Sequence, residues 1–474
     1  ECFKILYNII LITLYDLSGP YPWPFFGNSY VLKRLMREYG TQHRVFTEIS
    51  KRYNSSVIAI KTGNNNVIVV SGSKSLRTVL TNEDFDGRPW NEFIKIRNFG
   101  KKRGITMNDG PDWKTLRGWS LRNLKTVGFG KRLMSDLIVD ELIDVLNELK
   151  SGKVKQMKSV LAPAVINVLW TLITGKRFPD MEKLLHFSNL LERRAQAFDM
   201  LGGLLTAFPW IRYIAPNLSG YNLLLNFNNE LKDFLMEQIM DHKKRYVPGT
   251  ESDLIDMFLR EAVMNSDKDN DQLMMLLVDF FLAGFNNTTA TLDFLFLHMI
   301  VYPEVQRKLH EELDSVIQTD RLPQLSDRSE LHYTQAVMAE VHRMWIIFPI
   351  IGPRRTVRDT KLDNCTIPKD SFILMNTYSV HLDPTLYPDP HLFKPERFLK
   401  NGVYQSDENL VTFGHGRRKC PGEVLAKSAL FLLFVGVMKK YKLQPISGKG
   451  PSSIEIIPGL SLSPKPYEVT LIPR

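Results

Sequence analysis

Apolar residues recur at three- and four-residue spacing through most of the chain between Ser73 and about Glu340, the period of a helix with one buried face. The pattern is sustained over Leu133–Leu149, Met181–Ala197, Tyr221–Arg245 and Leu273–Val301, and each stretch is predicted to be a helix. Two short β-branched runs, Val57–Lys61 and Asn66–Val70, flank Thr62, Gly63, Asn64 and Asn65, which predicts a hairpin near the start. Beyond Trp345 the pattern breaks into short strand-like runs and prolines, and one last apolar helix is expected from Pro421 to about Lys440. The sum is a mainly α fold with a small β subdomain.

Composition narrows this picture. A chain of 474 residues that is 44% hydrophobic can bury a large core, which excludes a disordered or fibrous protein. No Gly/Ser/Pro-rich linker or repeat divides it, so residues 29–474 are read as a single domain. Residues 1–17 carry Ile5, Leu6, Ile9, Ile10, Leu11, Ile12 and Leu14, too short an apolar run for a spanning helix. They are expected to be an interfacial segment or the tail of a membrane anchor, followed by a stiff proline-rich spacer over residues 18–28. The three cysteines, Cys2, Cys365 and Cys420, are odd in number and far apart, which argues against a disulfide framework and leaves each one free or a ligand. The net charge of +10 favours an acidic protein or a membrane surface as partner, and the lack of a basic run argues against nucleic acid.

The chemistry concentrates in Phe413-Gly-His-Gly-Arg-Arg-Lys-Cys-Pro-Gly422. Gly414, Gly416 and Gly422 permit backbone turns closed to other residues. Cys420 precedes a helix whose dipole, with Arg417, Arg418 and Lys419 nearby, is expected to lower the thiol pKa, as suits a nucleophile or a metal ligand. A lone cysteine is more often a buried structural residue, but the Gly/Arg/Cys/Gly spacing points the other way.

Phe413, Gly416, Arg418, Cys420 and Gly422 resemble, position for position, the haem-binding loop F-x-x-G-x-R-x-C-x-G of the cytochrome P-450 family. The resemblance implies the fold of that family, with haem b between a long central helix and the Cys loop, and Cys420 as axial thiolate. It extends over nearly the whole chain and is strongest toward microsomal animal members, especially an arthropod branch allied to steroid and drug hydroxylases. Glu340-Val-His-Arg343 resembles the E-x-x-R element, and Pro395-Glu-Arg-Phe398 the segment whose Arg397 completes a structural network with Glu340 and Arg343. Trp113-Lys-Thr-Leu-Arg117 resembles W-x-x-x-R, so Trp113 and Arg117, with Arg418, Arg354 and Arg88, are implied partners of the haem propionates. Phe208–Pro216 resembles a loop that dips into the bilayer, the other reading being an internal core loop.

One element departs from the pattern. Ala283-Gly284 aligns the central helix with A-G-x-[DE]-T-[TS], but Asn286 stands where the acid is usual and Asn287 where the Thr is usual. Amides cannot ionise, so proton delivery would pass to Thr288, to ordered water or to the substrate. Taken together, the resemblance implies a monooxygenase that oxidises a lipophilic small molecule, with NADPH-derived electrons from NADPH-cytochrome P-450 reductase and cytochrome b5 as a second possible donor. It implies a place on the cytoplasmic face of the endoplasmic reticulum membrane, in contact with membrane lipid. A basic proximal face including Arg122, Lys125, Lys131, Arg417, Lys419 and Lys427 is expected to receive the reductase. Phe281, Phe285 and Ile350 are expected to line the distal pocket. A haem-thiolate isomerase or dehydratase acting on a peroxide, and a haem protein without turnover, are the alternatives.

Overall fold

A computed structural model describes residues 17–63, 65–150, 156–264, 270–284, 286–318, 320–446 and 453–474. The anchor expected in residues 1–17 therefore lies, except for Leu17, outside the described residues, as does Phe285. Helices dominate, and the long periodic stretches form them: Arg132–Leu149, Met181–Ala197 and Tyr221–Arg245, with the central stretch running as Asn270–Gly284 and Asn286–Val301. The final helix begins at Glu423 and ends at Lys440, two residues later than expected at its start, because Pro421 and Gly422 form the turn into it.

Helix Met157–Thr174 and the central helix are long and apolar enough to cross a membrane, yet both are mostly buried inside the fold. They are core elements. Leu273 through Phe281 and Thr288 through Ile300 are buried continuously, which is the pattern of a helix wrapped by others on every side. The close approach of these two helices depends on Gly284: a Cβ there would lie 2.2 Å from Leu169 Cδ2.

The predicted hairpin is present as Val57–Thr62 against Asn65–Val70, one residue longer on each side of its turn. It is extended by Phe372–Met375, parallel to the second hairpin strand, and by Ile351–Arg355. This sheet and its helices form separate apolar clusters beside the main helical core. The proline-rich segment is pinned along the hairpin: Ala59 N donates to Ser18 O at 2.8 Å, and Lys61 N donates to Asn28 Oδ1 at 2.8 Å.

Candidate active site

The Cys loop leads into helix Glu423–Lys440 and is shaped by Gly414 and Gly416, whose φ values of +68° and +69° favour glycine. A Cβ on Gly416 would also lie 2.3 Å from Leu80 O, so this residue is required by packing against the neighbouring helix end. Gly422 has φ −87°, and a Cβ there would meet only Cys420 Sγ at 3.9 Å, so the expectation of a special turn at Gly422 is corrected. Cys420 is accessible, and its N–H donates to Phe413 O at 2.9 Å, which closes the loop.

The expected lowering of the Cys420 thiol pKa is also corrected. Burial within the surrounding protein pushes it up, against the pull of the Gly422 and Glu423 N–H groups at the helix start and of Arg117. The nearby basic residues are spent elsewhere. Arg417 binds Glu83 at 2.9 Å and Asp86 at 2.5 Å, and Lys419 binds Glu423 at 2.7 Å.

Beside the loop lies a cluster of cations, with Arg354 buried and Arg88, Arg117 and Arg418 half-buried. Arg354 Nη1 donates to Asp86 Oδ1 at 2.8 Å, and Arg418 reaches Asp86 O at 2.6 Å and Asn108 O at 2.9 Å. Arg88 donates to Pro353 O through Nη1, while its Nε is buried without a partner. Arg117 donates to Lys419 O and so ties helix Gly110–Thr126 to the Cys loop. Burial, then Arg418 and Arg354, pull Arg88 well below its ordinary pKa; burial and Arg354 bring Arg418 down to about 9. Asp86 is the carboxylate that pairs with this group, since Asp109 is taken by Arg355 at 2.9 Å and by the Arg88 N–H at 2.7 Å. Such an excess of buried positive charge fits a dianionic group such as a pair of propionates, and Arg88, Arg117, Arg354 and Arg418 would hold it.

Trp113 is used differently from the expectation. Its Nε1 donates to Ile105 O at 3.0 Å, and its ring lies 3.5 Å from the Arg418 guanidinium, a cation–π platform for that arginine. The cause is Asp279 on the central helix, which accepts Ile105 N and Thr106 N at 2.6 and 2.9 Å and draws that loop against the indole. The other oxygen of Asp279 binds Arg97 at 2.6 Å in a buried pair.

Glu340, Arg343 and Arg397 meet in a second buried network. Arg343 donates to both Glu340 oxygens at 2.7 and 2.8 Å, and Arg397 Nε donates to Glu340 Oε1 at 3.2 Å. Arg343 Nη1 also donates to His381 O at 2.8 Å, and Val411 N donates to His381 Nε2 at 3.0 Å, two residues before Phe413. Burial holds His381 at about 3, so its ring is neutral at physiological pH and Nε2 can accept that bond. A hydrogen-bonded path thus connects the Glu–Arg pair to the start of the Cys loop.

In the central helix, Ala283 is exposed and Gly284, Asn286 and Asn287 are partly exposed, a short accessible stretch in an otherwise buried rod. Asn287 Nδ2 donates to Ala283 O at 2.8 Å, and Thr291 Oγ1 donates to Asn287 O at 3.0 Å. Thr288 is buried. Phe281 is 1% exposed and packs on Trp170, Phe178 and Phe187, which places it in the core and corrects its assignment to the distal pocket. Ile350 is buried too, though it lines a cavity of about 250 Å³ with Gln42, Phe198, Asp199 and Leu460.

Asp86, Asp279 and Arg97 were not singled out from the sequence. Asp86 lies two residues before Arg88, and an acid next to a motif arginine was the available signal. Nothing local marks Asp279, whose partner is 182 residues away.

Comparison with known proteins places these features in context. The family model described as Cytochrome P450 matches residues 17–471. The chain is 36% identical to "Probable cytochrome P450 305a1" of Drosophila melanogaster, over 96% of this chain and 94% of that one. It is 36% identical to "Farnesoate epoxidase" of Bombyx mori, over 100% and 97%, and 32% identical to "Cytochrome P450 2J1" of Oryctolagus cuniculus, over 96% and 91%. With a match of this extent, the chain belongs to the cytochrome P450 family, and is an oxidoreductase of the monooxygenase class for which membership implies haem b.

Proposed function

We propose that the chain inserts one oxygen atom from dioxygen into a lipophilic small molecule, with Cys420 as the axial ligand of haem b and electrons from NADPH through a reductase. The observation that carries this is the accessible Cys420 at a helix start beside Arg88, Arg117, Arg354 and Arg418, four buried or half-buried guanidiniums of which only Arg354 is paired with a carboxylate, that of Asp86. When bound, a thiolate-ligated haem supplies oxygen activation. The protein residues bind and position: Arg88, Arg117, Arg354 and Arg418 hold the anionic edge, and Trp113 supports Arg418. Phe413 and Gly414 shape the loop, and Ala283 with Gly284 brings the central helix to the distal side. A relative of similar length is named for farnesoate, a sesquiterpenoid acid, which supports a substrate of that lipophilic class. The test is NADPH consumption by the purified protein with reductase: a lipophilic substrate should accelerate it and be oxidised, and failure across a panel including farnesoate would refute the reading.

Proton delivery rests on Asn286, Asn287 and Thr288. Asn287 already spends an amide hydrogen on Ala283 O, so its Oδ1 is left to hold water but cannot itself release a proton. Asn287→Thr restores a hydroxyl, and the fraction of NADPH recovered as product rather than as hydrogen peroxide is expected to rise severalfold. A fall in that fraction would show that the asparagine is part of the relay.

The reductase is proposed to dock on Arg122, Lys125 and Lys131, all exposed and, among the described residues, without an acidic partner. The wider basic face is weakened, because Arg417 is paired with Glu83 and Asp86, and Lys419 and Lys427 share the one carboxylate of Glu423. Cytochrome b5 is a second donor of the same charge. Lys125→Glu should slow reduction by the reductase severalfold at low ionic strength and much less at high, since steering is screened by salt. A deficit independent of salt would contradict docking by charge.

The chain is proposed to lie at the cytoplasmic face of the endoplasmic reticulum membrane, and the part of this reading that calls for contact with membrane lipid is supported by a patch of exposed aromatic and apolar residues. Trp23, Phe25, Phe26, Trp210, Tyr213 and Ile214 are 58 to 77% exposed, and Phe26 meets Phe208 at 5.9 Å between ring centroids. This exposure is at odds with a core role for Phe208–Pro216 and suits membrane lipid. Replacing Phe25, Trp210 and Ile214 by Ser should reduce co-flotation with phosphatidylcholine vesicles at least about tenfold, as expected when several large apolar side chains lose their burial. Unchanged flotation would exclude this patch.

A further inference from the structure

Among the described residues Arg194 has no acidic partner. It lies near the end of helix Met181–Ala197, with its guanidinium 5.7 Å from the ring centroids of both Phe93 and Phe227. The residue is half-buried, and its Nε is shut off from solvent with no hydrogen-bond partner. The acids on the elements around it are committed: Glu192 to Lys158, Glu92 to Arg212, Asp279 to Arg97, and Asp199 to the backbone N–H groups of Leu201 and Gly203. The charged neighbour that acts on it is another cation, Arg97, and with burial this brings its pKa down to about 9, so it stays protonated at neutral pH. Buried charges are ordinarily paired, and two aromatic faces offset only part of the loss of hydration.

Its position ties it to the reaction side of the molecule. Arg97 and Phe93 lie on helix Glu92–Arg97, which is clamped by Arg97 to Asp279. Asp279 is four residues before Ala283, hence on the same face of the central helix as the accessible stretch. A cavity of about 250 Å³, lined by Gln196, Ala197, Phe198, Asp199 and Leu460 but not by Arg194 itself, adjoins the end of the helix that carries Arg194, and burial pushes the Asp199 carboxyl up.

We infer that Arg194 is the anchor for the carboxylate of a lipophilic acid, making this chain selective for lipophilic acids over their esters. The inference rests on the reading of the chain as a monooxygenase of lipophilic molecules and names the substrate class of that site. The two Nη groups of a half-buried guanidinium between two aromatic rings offer a carboxylate paired donors, while the remaining chain of the substrate contacts apolar surface. The head group is held at a fixed point, so the acid sets which carbons of the chain reach the accessible stretch around Ala283.

The experiment uses the haem-loaded protein and four probes: farnesoic acid, dodecanoic acid and the methyl ester of each. Binding is read by calorimetry and by the change in the haem spectrum. The acids are expected to bind at least about tenfold more tightly than their esters, the scale of a hydrogen bond to a charged group. Arg194→Met should remove this preference by weakening the acids and leaving ester affinity unchanged, and Arg194→Lys should keep part of it. Equal affinity of acid and ester in the unmodified protein, no binding of either, or a preference that survives in Arg194→Met would overturn the assignment. If Arg194→Met fails to load haem, the acid-to-ester ratios of the unmodified protein and of Arg194→Lys decide. NADPH-dependent oxidation of the esters without any acid preference would sink the role of Arg194 alone, whereas an acid preference by calorimetry with no NADPH-dependent turnover would sink the monooxygenase reading alone.

Discussion

Replacement of Cys420 by His is expected to leave a protein that binds some haem but lacks the red-shifted Soret band of the reduced carbon monoxide complex. The reasoning starts from the site itself. Burial raises the Cys420 thiol pKa, so the thiolate is not stable there on its own account, and a metal cation is what would displace its proton. None of the hydrogen bonds that fix Arg88, Arg117, Arg354 and Arg418 uses the Cys420 side chain, so in the variant these arginines would still be in place to hold the anionic edge of the cofactor as proposed. What changes is the ligand atom, from sulfur to neutral nitrogen, and with it the electron density delivered to the metal. Monooxygenase turnover should fall by orders of magnitude. A variant with the unmodified band would remove Cys420 from its proposed role.

Glu340→Ala is expected to give little folded, haem-loaded protein. Glu340 and Arg343 have no solvent exposure, and Arg397 is 10% exposed at its side chain, so deleting the carboxylate leaves two guanidiniums without their counter-charge. Removing one partner of a buried pair costs about 3 to 5 kcal/mol. That is a large part of the roughly 5 to 15 kcal/mol by which a domain is stable. The damage should also reach the Cys loop through Arg343, His381 and Val411. Thermal unfolding and haem content measure both effects. A soluble variant with normal haem content and an unchanged melting temperature would show that the network is dispensable.

The features that could be read from the sequence share a local cause. Helix Tyr221–Arg245 and the hairpin from Val57 to Val70 follow from period and turn residues that lie within a few positions of each other. The Cys loop was visible because its chemistry is packed into ten consecutive residues. What escaped was set by burial and by contacts between distant parts of the chain. The thiol of Cys420 was expected to be acidified from its neighbours in sequence, but sequence does not show how much protein surrounds a group. Arg417, Lys419 and Lys427 looked like free charges until Glu83, Asp86 and Glu423 were found against them. Phe281 was counted with the pocket because its helix carries Ala283, although its side chain turns toward Trp170 and Phe187. Arg194 gives no sign in sequence, because its distinguishing property is that it faces two aromatic rings and, among the described residues, no acid.

The most direct test of the central claim is the fate of isotopically labelled dioxygen. Purified haem-loaded protein, NADPH and a reductase are incubated with farnesoic acid under the labelled gas, and the product is analysed by mass. One labelled oxygen atom per product molecule, formed only while NADPH is consumed, is the predicted result. Product that carries no label, or that forms from a peroxide substrate without NADPH, would contradict the account.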